Sequence, residues 1–152
     1  MAEIKLIAQN KKARHEYQVI DTYEAGIELQ GSEVKSCRQG AVNLKDSYAR
    51  FDGFEIFLIN AHISPYANAN RFNHEPRRRR KLLLHRAEIK KLYGKMRERG
   101  QSFVPLKMYF NEKGKVKVQV ALAKGKKTHD KRDDLRKRDQ KRETERELKS
   151  RR

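Results

Sequence analysis

Residues 103–123 read FVPLKMYFNEKGKVKVQVALA, and they carry the clearest strand–turn–strand pattern in the chain. Apolar residues recur there at every second position on either side of an Asn-Glu-Lys-Gly turn, and such alternation is typical of half-buried β-strands. Pro105 lacks a backbone N–H, so it predicts an edge position for the first strand. The alternating apolar residues are Val104, Leu106, Met108, Phe110, Val116, Val118, Val120 and Leu122. This stretch predicts an antiparallel hairpin and, with it, a mainly β fold.

The same period of two appears twice upstream. Tyr17–Leu29 alternates apolar and polar residues, and Gly26 is a candidate bulge or bend. Ser47–Phe51 and Phe54–Ile59 flank Asp52-Gly53, a pair that favours a type I′ hairpin turn. Val42 and Leu44 also follow an extended pattern, so the number of predicted strands is about six.

Two apolar patterns predict helices instead. A short helix begins at Gly31 and turns Val34 and Cys37 inward. A second apolar stripe, with helical spacing, runs over Leu82–Met96 and ends at Gly100. Because closure of a sheet removes its exposed edges, we expect residues 1–123 to form an OB-like antiparallel β-barrel of about six strands with two to three flanking helices. A split sandwich is the alternative.

The composition changes after Ala123. Residues 124–152 contain only two large apolar residues, Leu135 and Leu148, so this segment cannot bury enough surface to offset the cost of ordering. It is rich in Lys, Arg, Glu and Gln, with acid–base pairs at helical i,i+4 spacing. We expect a basic C-terminal tail that is disordered when free and helical when bound.

The net charge indicates a polyanionic partner. The chain has 38 Lys and Arg against 20 Asp and Glu, a formal net charge of 38 − 20 = +18. Phosphate backbones fit this charge, because neutralising them releases condensed counterions. A membrane would require a lipid motif, an amphipathic helix with an aromatic face or a long apolar run, and none is evident. Met1–Gln9 has no signal-peptide core, and Cys37 is the one cysteine, so we expect a cytoplasmic protein.

Two basic clusters are candidate RNA contacts: the run Arg77–Lys81 and the segment Asn10–Tyr17, in which His15 and Tyr17 could stack on bases. The five histidines lack metal-ligand spacing, and His74-Glu75 is the best candidate for an acid–base pair. Solvated or capping histidines explain the pattern better. We therefore expect no catalytic residues, no metal and no cofactor, and hence no enzyme.

The sequence resembles the SsrA-binding protein family, SmpB, whose members are the bacterial partners of transfer-messenger RNA. The resemblance runs in order from about Asn10 to Arg132, whereas the rest of the tail is similar only in character. The segments that carry it are Tyr23–Ser36, Asn43–Tyr48, Arg80–His85, Val104–Lys107, Gly125–Lys127 and Asp130–Arg132.

The resemblance implies both a fold and a function. It implies an OB-like barrel that binds the tRNA-like domain of transfer-messenger RNA at its elbow and enters the A site of stalled 70S ribosomes. There the barrel would replace the anticodon arm beside 16S ribosomal RNA, and the tail would lie in the empty mRNA channel. Whether elongation factor Tu is a further partner stays open.

The resemblance also assigns residues. The RNA-elbow contacts would be Asn10, Lys11, Tyr17, Glu24, Tyr48, Lys81 and Leu83. His15 would lie near the decoding centre, Gly125, Lys126 and Lys127 would form the hinge of the tail, and Asp130, Lys131 and Arg132 would act within the tail. The target of the arginine run stays open.

Two other classes of protein fit a basic globule with a basic tail. A ribosomal or assembly protein would bind ribosomal RNA stably and would not prefer a tRNA-like RNA. A small ribonuclease would depend on a residue such as His74.

Overall fold

The computed structural model describes residues 4–66, 73–97, 100–125, 140–144 and 146. Residues 140–144 are helical. The helices are α1 (Lys11–Glu16), α2 (Gly31–Arg38) and α3 (Arg86–Lys95). The strands are β1 (Lys5–Gln9), β2 (Tyr17–Ile27), β3 (Val42–Asn43), β4 (Tyr48–Asp52), β5 (Glu55–Ile59), β6 (His62–Ile63), β7 (Arg80–Leu83), β8 (Gln101–Phe110) and β9 (Val116–Gly125).

Six antiparallel strands pair into a closed ring, hereafter the barrel. Their order is β8-β4-β5-β7-β2-β9, and β9 pairs back onto β8. Strand β1 adds to β8 outside the ring, and β3 and β6 form a separate two-stranded sheet. The mainly β fold of about six antiparallel strands with flanking helices is therefore confirmed. Closure leaves the six barrel strands without a free edge.

The hairpin at residues 103–123 contributes to two separate apolar clusters. Its register shifts between Pro105 and Lys107, and this bulge reverses which side chains point into the barrel. Val104 and Leu106 pack beneath α1 with Ala13, whereas Met108 and Phe110 lie in the barrel core. The bulge also corrects the prediction of an edge strand, because β8 has partners on both sides and accommodates Pro105 at the irregularity.

The predicted helix over Leu82–Met96 is wrong in its first turn. Arg80–Leu83 forms β7, which fills the ring by pairing with β5 and β2, and α3 begins only at Arg86. An apolar run of three leucines suits a strand as well as a helix, so the tertiary pairing decides. The backbone N–H of His85 donates to the Glu88 carboxylate at 3.1 Å, which caps the start of α3.

Two smaller expectations also change. The β4–β5 turn has Gly53 and Phe54 at its centre, and of these two residues only Gly53 has a positive φ, at 64°. That pattern fits a type II′ turn rather than type I′. In α2, Glu33 is buried together with Cys37, while Val34 is only half-buried. Strand β1 and helix α1 were not predicted.

Candidate nucleic-acid interface

Helix α1 is fixed to the barrel by Asn10, which precedes it. The Asn10 amide donates to the carbonyls of Pro105 (3.0 Å) and Leu44 (3.2 Å), and its oxygen accepts from the Ala13 N–H at 3.2 Å. Its side chain is buried, so Asn10 holds α1 in place. A direct contact of Asn10 with RNA stays a prediction.

A cleft of about 340 Å³ lies between α1 and the start of β4. Tyr17 and Tyr48 both line it, and Tyr48 is 41% exposed. At its rim Lys12 and Asp46 form a salt bridge of 2.9 Å, which raises the pKa of Lys12 and lowers that of Asp46. Two aromatic rings beside an ion pair can accept a base and a ribose.

The end of β9 lies next to α1. Gly125 pairs with Tyr17, which directly follows α1, and both Lys11 and His15 on this short helix are exposed. The structure therefore brings the predicted hinge residue Gly125 close to the predicted decoding residue His15. Lys126, Lys127, Asp130, Lys131 and Arg132 lie outside the described residues.

A second group of predicted residues lies on the outer face of β2 and β7. Glu24 is exposed on β2, and Leu83, 46% exposed, lies on β7 opposite Gly26. A Cβ on Gly26 would be 3.2 Å from the Leu83 Cβ, so glycine permits this close approach. Lys81, two residues before Leu83, lies 3.4 Å from the Glu55 carboxylate.

Tyr109 is a functional candidate that sequence reasoning missed. Its hydroxyl donates to the Glu24 carboxylate from β8, across β9. Burial and then this hydrogen bond raise the pKa of Tyr109, and both favour the protonated phenol that donates to Glu24. Strand alternation could have placed Tyr109 on the outer face, but no sequence signal links it to Glu24.

The predicted contacts thus fall on two surfaces. The α1 end of the barrel carries Lys11, His15, Tyr17 and Tyr48. The outer face of β2 and β7 carries Glu24, Lys81 and Leu83. Tyr17 and Glu24 are seven positions apart in β2. At about 3.3 Å per residue this is a separation of roughly 20 Å. A ligand that contacts both surfaces must be at least that large.

The arginine run is not a uniform phosphate-binding surface. Arg80 is fully buried and is paired through its Nε with Glu33, and Arg78 reaches the same carboxylate at 2.5 Å. Burial alone would raise the pKa of Glu33, but hydrogen bonds from Arg78, the Gln30 N–H and Arg80 outweigh it and lower the pKa. The expectation that the whole run contacts RNA is therefore wrong for Arg80.

The other two arginines of the run are exposed and have polar partners. Arg77 donates to the Asn60 side chain at 2.7 Å, and Arg79 pairs with Asp52 at 3.0 Å. These surface contacts are weak and solvent-screened, so both guanidinium groups can exchange partners.

His74 has a structural role. The ring is buried, with one nitrogen 2.9 Å from the Ser32 hydroxyl and the other 2.8 Å from the Ile63 carbonyl. These contacts leave no ring nitrogen for acid–base chemistry, which removes the support for a His74-Glu75 pair. Among the described residues there is no group of three or more His, Cys, Asp or Glu that could hold a metal. Nor does that part of the chain contain a helix long and apolar enough to cross a membrane.

Fold and surface together define a small antiparallel β-barrel protein with strongly basic exposed faces. The profile of one family, described as SmpB protein, matches residues 7–150. The chain belongs to the SmpB family.

Known relatives support this assignment. The SsrA-binding protein of Symbiobacterium thermophilum is 63% identical over 150 residues, which is 99% of this chain and 95% of that protein. The SsrA-binding protein of Listeria monocytogenes is 58% identical over 147 residues, 97% of this chain and 95% of that protein. A chain in a solved structure described as "tmRNA-SmpB: a journey to the center of the bacterial ribosome" is 48% identical, with a TM-score of 0.69, over 85% of this chain and 94% of that chain.

Proposed function

We propose that this protein binds the tRNA-like domain of transfer-messenger RNA and delivers it to stalled ribosomes for trans-translation. The observation that carries the proposal is the match to the SmpB family over residues 7–150, which includes the tail as well as the barrel. The similarity to a chain solved as part of a tmRNA–SmpB assembly supports the same RNA and the ribosome as partners. The protein would work where ribosomes are, in the cytoplasm.

The barrel would supply the specific contact. Structured RNA is recognised through its shape, its unpaired bases and its ribose hydroxyls. The carboxylate of Glu24, held by Tyr109, can accept hydrogen bonds from base edges or ribose hydroxyls, while Lys81 neutralises phosphate. The tyrosine pair in the α1 cleft offers a second contact, roughly 20 Å away along β2. Two contacts at that separation suit a folded RNA better than a short single strand.

The tail would act as a sensor of an empty mRNA channel. Ordering a disordered chain costs about 1–2 kcal/mol per residue of backbone, so many phosphate contacts must offset that cost. Such contacts are available only where mRNA does not already occupy the channel. Competition between mRNA and the basic tail would then reject ribosomes that are still translating. The barrel would meanwhile stand in for the anticodon arm.

A truncation after Gly125 tests this division of labour. The shortened protein should bind the tRNA-like domain within about twofold of the full chain, because the predicted RNA-elbow contacts are retained. Tagging of nascent chains on ribosomes stalled at a message without a stop codon should be lost. A full-length variant with Asp130, Lys131 and Arg132 replaced by alanine is the matched control for chain length. Loss of RNA binding on truncation would contradict the proposal.

The ribosomal-protein alternative has its own discriminating test. A structural component would stay on ribosomes after a high-salt wash and would not prefer the tRNA-like domain over ordinary tRNA. A delivery protein should leave with the salt, because its ribosome contacts are mainly electrostatic.

A further inference from the structure

The tip of the β4–β5 hairpin exposes an aromatic ring that the fold does not require. Phe54 is 78% exposed, the largest exposed fraction among the large hydrophobic residues described. The turn needs a positive φ only at Gly53, so its geometry does not require an aromatic residue at position 54. An exposed phenylalanine at a hairpin tip therefore calls for an explanation outside folding.

Phe54 is part of a short aromatic row that continues onto α3. Its ring lies 5.7 Å from that of Tyr93 at an interplanar angle of 39°, and Phe51 meets Tyr93 edge-on at 5.3 Å. The Arg97 guanidinium lies over the Tyr93 ring at 4.7 Å and donates to its hydroxyl at 3.1 Å. Tyr93 is thus supported by the barrel through Phe51, while Phe54 keeps most of its surface free.

The surroundings of this row are cationic. Both acids of the hairpin tip have cationic partners, since Glu55 lies 3.4 Å from the Lys81 ammonium and Asp52 is paired with Arg79 at 3.0 Å. Helix α3 adds exposed positive charges on the face of Tyr93, with Lys90 three residues and Arg86 seven residues before it, and the exposed Arg97 follows the helix. Protein–protein interfaces are depleted of charge at their centre, especially of lysine. Aromatic rings flanked by Lys and Arg are instead the arrangement that binds unpaired nucleotides, with the base on the ring and the phosphates on the cations.

We propose that Phe54 and Tyr93 form a stacking site for an unpaired nucleobase of RNA, with Arg97 neutralising the adjacent phosphate. The site extends the proposed function, because none of its three residues is among the predicted elbow contacts. It adjoins them, since the hairpin strand β5 pairs with the strand that carries Lys81 and Leu83. A bound RNA would therefore have a third contact on the barrel.

The absence of tryptophan from the chain makes a direct test possible. The variant F54W places a single indole at the hairpin tip, where stacking of a base quenches its fluorescence. The probes are a ten-nucleotide single-stranded oligoadenylate, the tRNA-like domain of transfer-messenger RNA, and inorganic polyphosphate, which has phosphates but no bases. The control is L6W, which places the indole on β1, where Leu6 is 52% exposed and has no part in this site.

The proposal predicts quenching of F54W by oligoadenylate and by the tRNA-like domain but not by polyphosphate, with little change for L6W. It also predicts that F54S binds oligoadenylate roughly five- to 150-fold more weakly, the effect of one stacked base, whereas L6S binds unchanged. F54Y should retain binding. Because Phe54 is so exposed and loses only its contact with Tyr93, F54S should lower the melting temperature by no more than a few degrees, which circular dichroism checks.

Three results would overturn the proposal. They are no quenching of F54W, equal quenching by polyphosphate, or an F54S variant that binds oligoadenylate as tightly as the parent does. If F54W binds the tRNA-like domain tightly but its fluorescence is not quenched, the proposed stacking site is wrong and the proposed function is unaffected.

Discussion

At the scale of single residues, the barrel contains one buried ionic cluster beside weak surface pairs. Arg80 and Glu33 are both fully buried, so each depends on the other for compensation of its charge. Arg78 also pairs with the Glu33 carboxylate, and its side chain is 31% exposed at the edge of the cluster. The cluster joins α2 to β7, two elements that the chain separates by more than forty residues. It therefore fixes the strand that carries Lys81 and Leu83.

Neighbouring arginines provide a matched test of burial. R80M should lower the free energy of unfolding by about 3–5 kcal/mol, because it leaves a buried carboxylate with one partner fewer. R79M removes an exposed pair with Asp52 and should cost at most about 1 kcal/mol. Urea unfolding followed by circular dichroism measures both. Equal losses in the two variants would show that burial of Arg80 does not govern its contribution.

The Tyr109 hydroxyl supports a second prediction, about positioning rather than stability. Y109F removes the hydrogen bond to Glu24 and leaves the ring packing intact. Because Glu24 is exposed and water can replace the phenol, the unfolding free energy should fall by only about 1 kcal/mol. Affinity for the tRNA-like domain should fall several-fold, as the carboxylate loses its fixed orientation, while affinity for polyphosphate stays the same. In the E24A background, which lacks the acceptor, Y109F should have no further effect on RNA affinity; an additive loss there would contradict the positioning role.

Residue roles were only partly predictable from sequence. The resemblance pointed to Glu24, but the run of five cations concealed that Arg80 is buried, because its partner Glu33 is 47 positions away. Likewise, the spacing of His74 gave no sign of its contacts with Ser32 and Ile63. Local patterns report periodicity and charge, whereas these roles arise from contacts between distant segments.

At the scale of elements, alternation predicted strands well and failed where short elements depend on partners. The β8–β9 and β4–β5 hairpins lie where the alternating pattern placed them. Strand β7 is only four residues long and forms because β5 and β2 leave a gap between them. Its leucines continue into the apolar stripe of α3, so the sequence favoured one longer helix. Such a boundary is set by tertiary pairing.

Two glycines should respond in opposite directions to substitution. Gly26 meets the Leu83 Cβ at 3.2 Å, so G26V should push β7 away from β2 and lower the unfolding free energy by about 1–3 kcal/mol. Gly94 lies within α3 with open space around it, so G94A should raise the unfolding free energy by about 0.5–1 kcal/mol. Thermal and urea unfolding measure both signs. A G26V variant as stable as the parent would show that the close approach of the two strands does not contribute to stability.

In the whole molecule, the residues that stabilise the fold lie inside the closed barrel, and the residues available for binding lie on its outer faces. The core lies inside the ring, so the outer faces of the strands are free to carry charged and aromatic side chains. A net charge of +18 favours any polyanion and by itself gives no specificity. We propose that specificity comes from fixed groups such as the Glu24–Tyr109 pair, because an acid on a basic surface weakens non-specific attraction.

Recognition by fixed groups can be separated from general charge attraction by a salt titration of binding to the tRNA-like domain of transfer-messenger RNA. The titration uses ordinary tRNA as competitor and compares the parent, E24A and E112A. Glu112 is a matched control, because it is an acid that lines the same concavity as Glu24. We expect the parent to stay bound to the tRNA-like domain in the presence of competing tRNA. E24A should bind that domain at least about tenfold more weakly, although the substitution removes a negative charge. E112A should bind equally well or slightly better. Equal binding of both RNAs by all three proteins would mean a general polyanion binder and would contradict a specific role of Glu24. The logarithm of the affinity would then fall with the logarithm of the salt concentration by about 0.7 to 0.9 per phosphate contact.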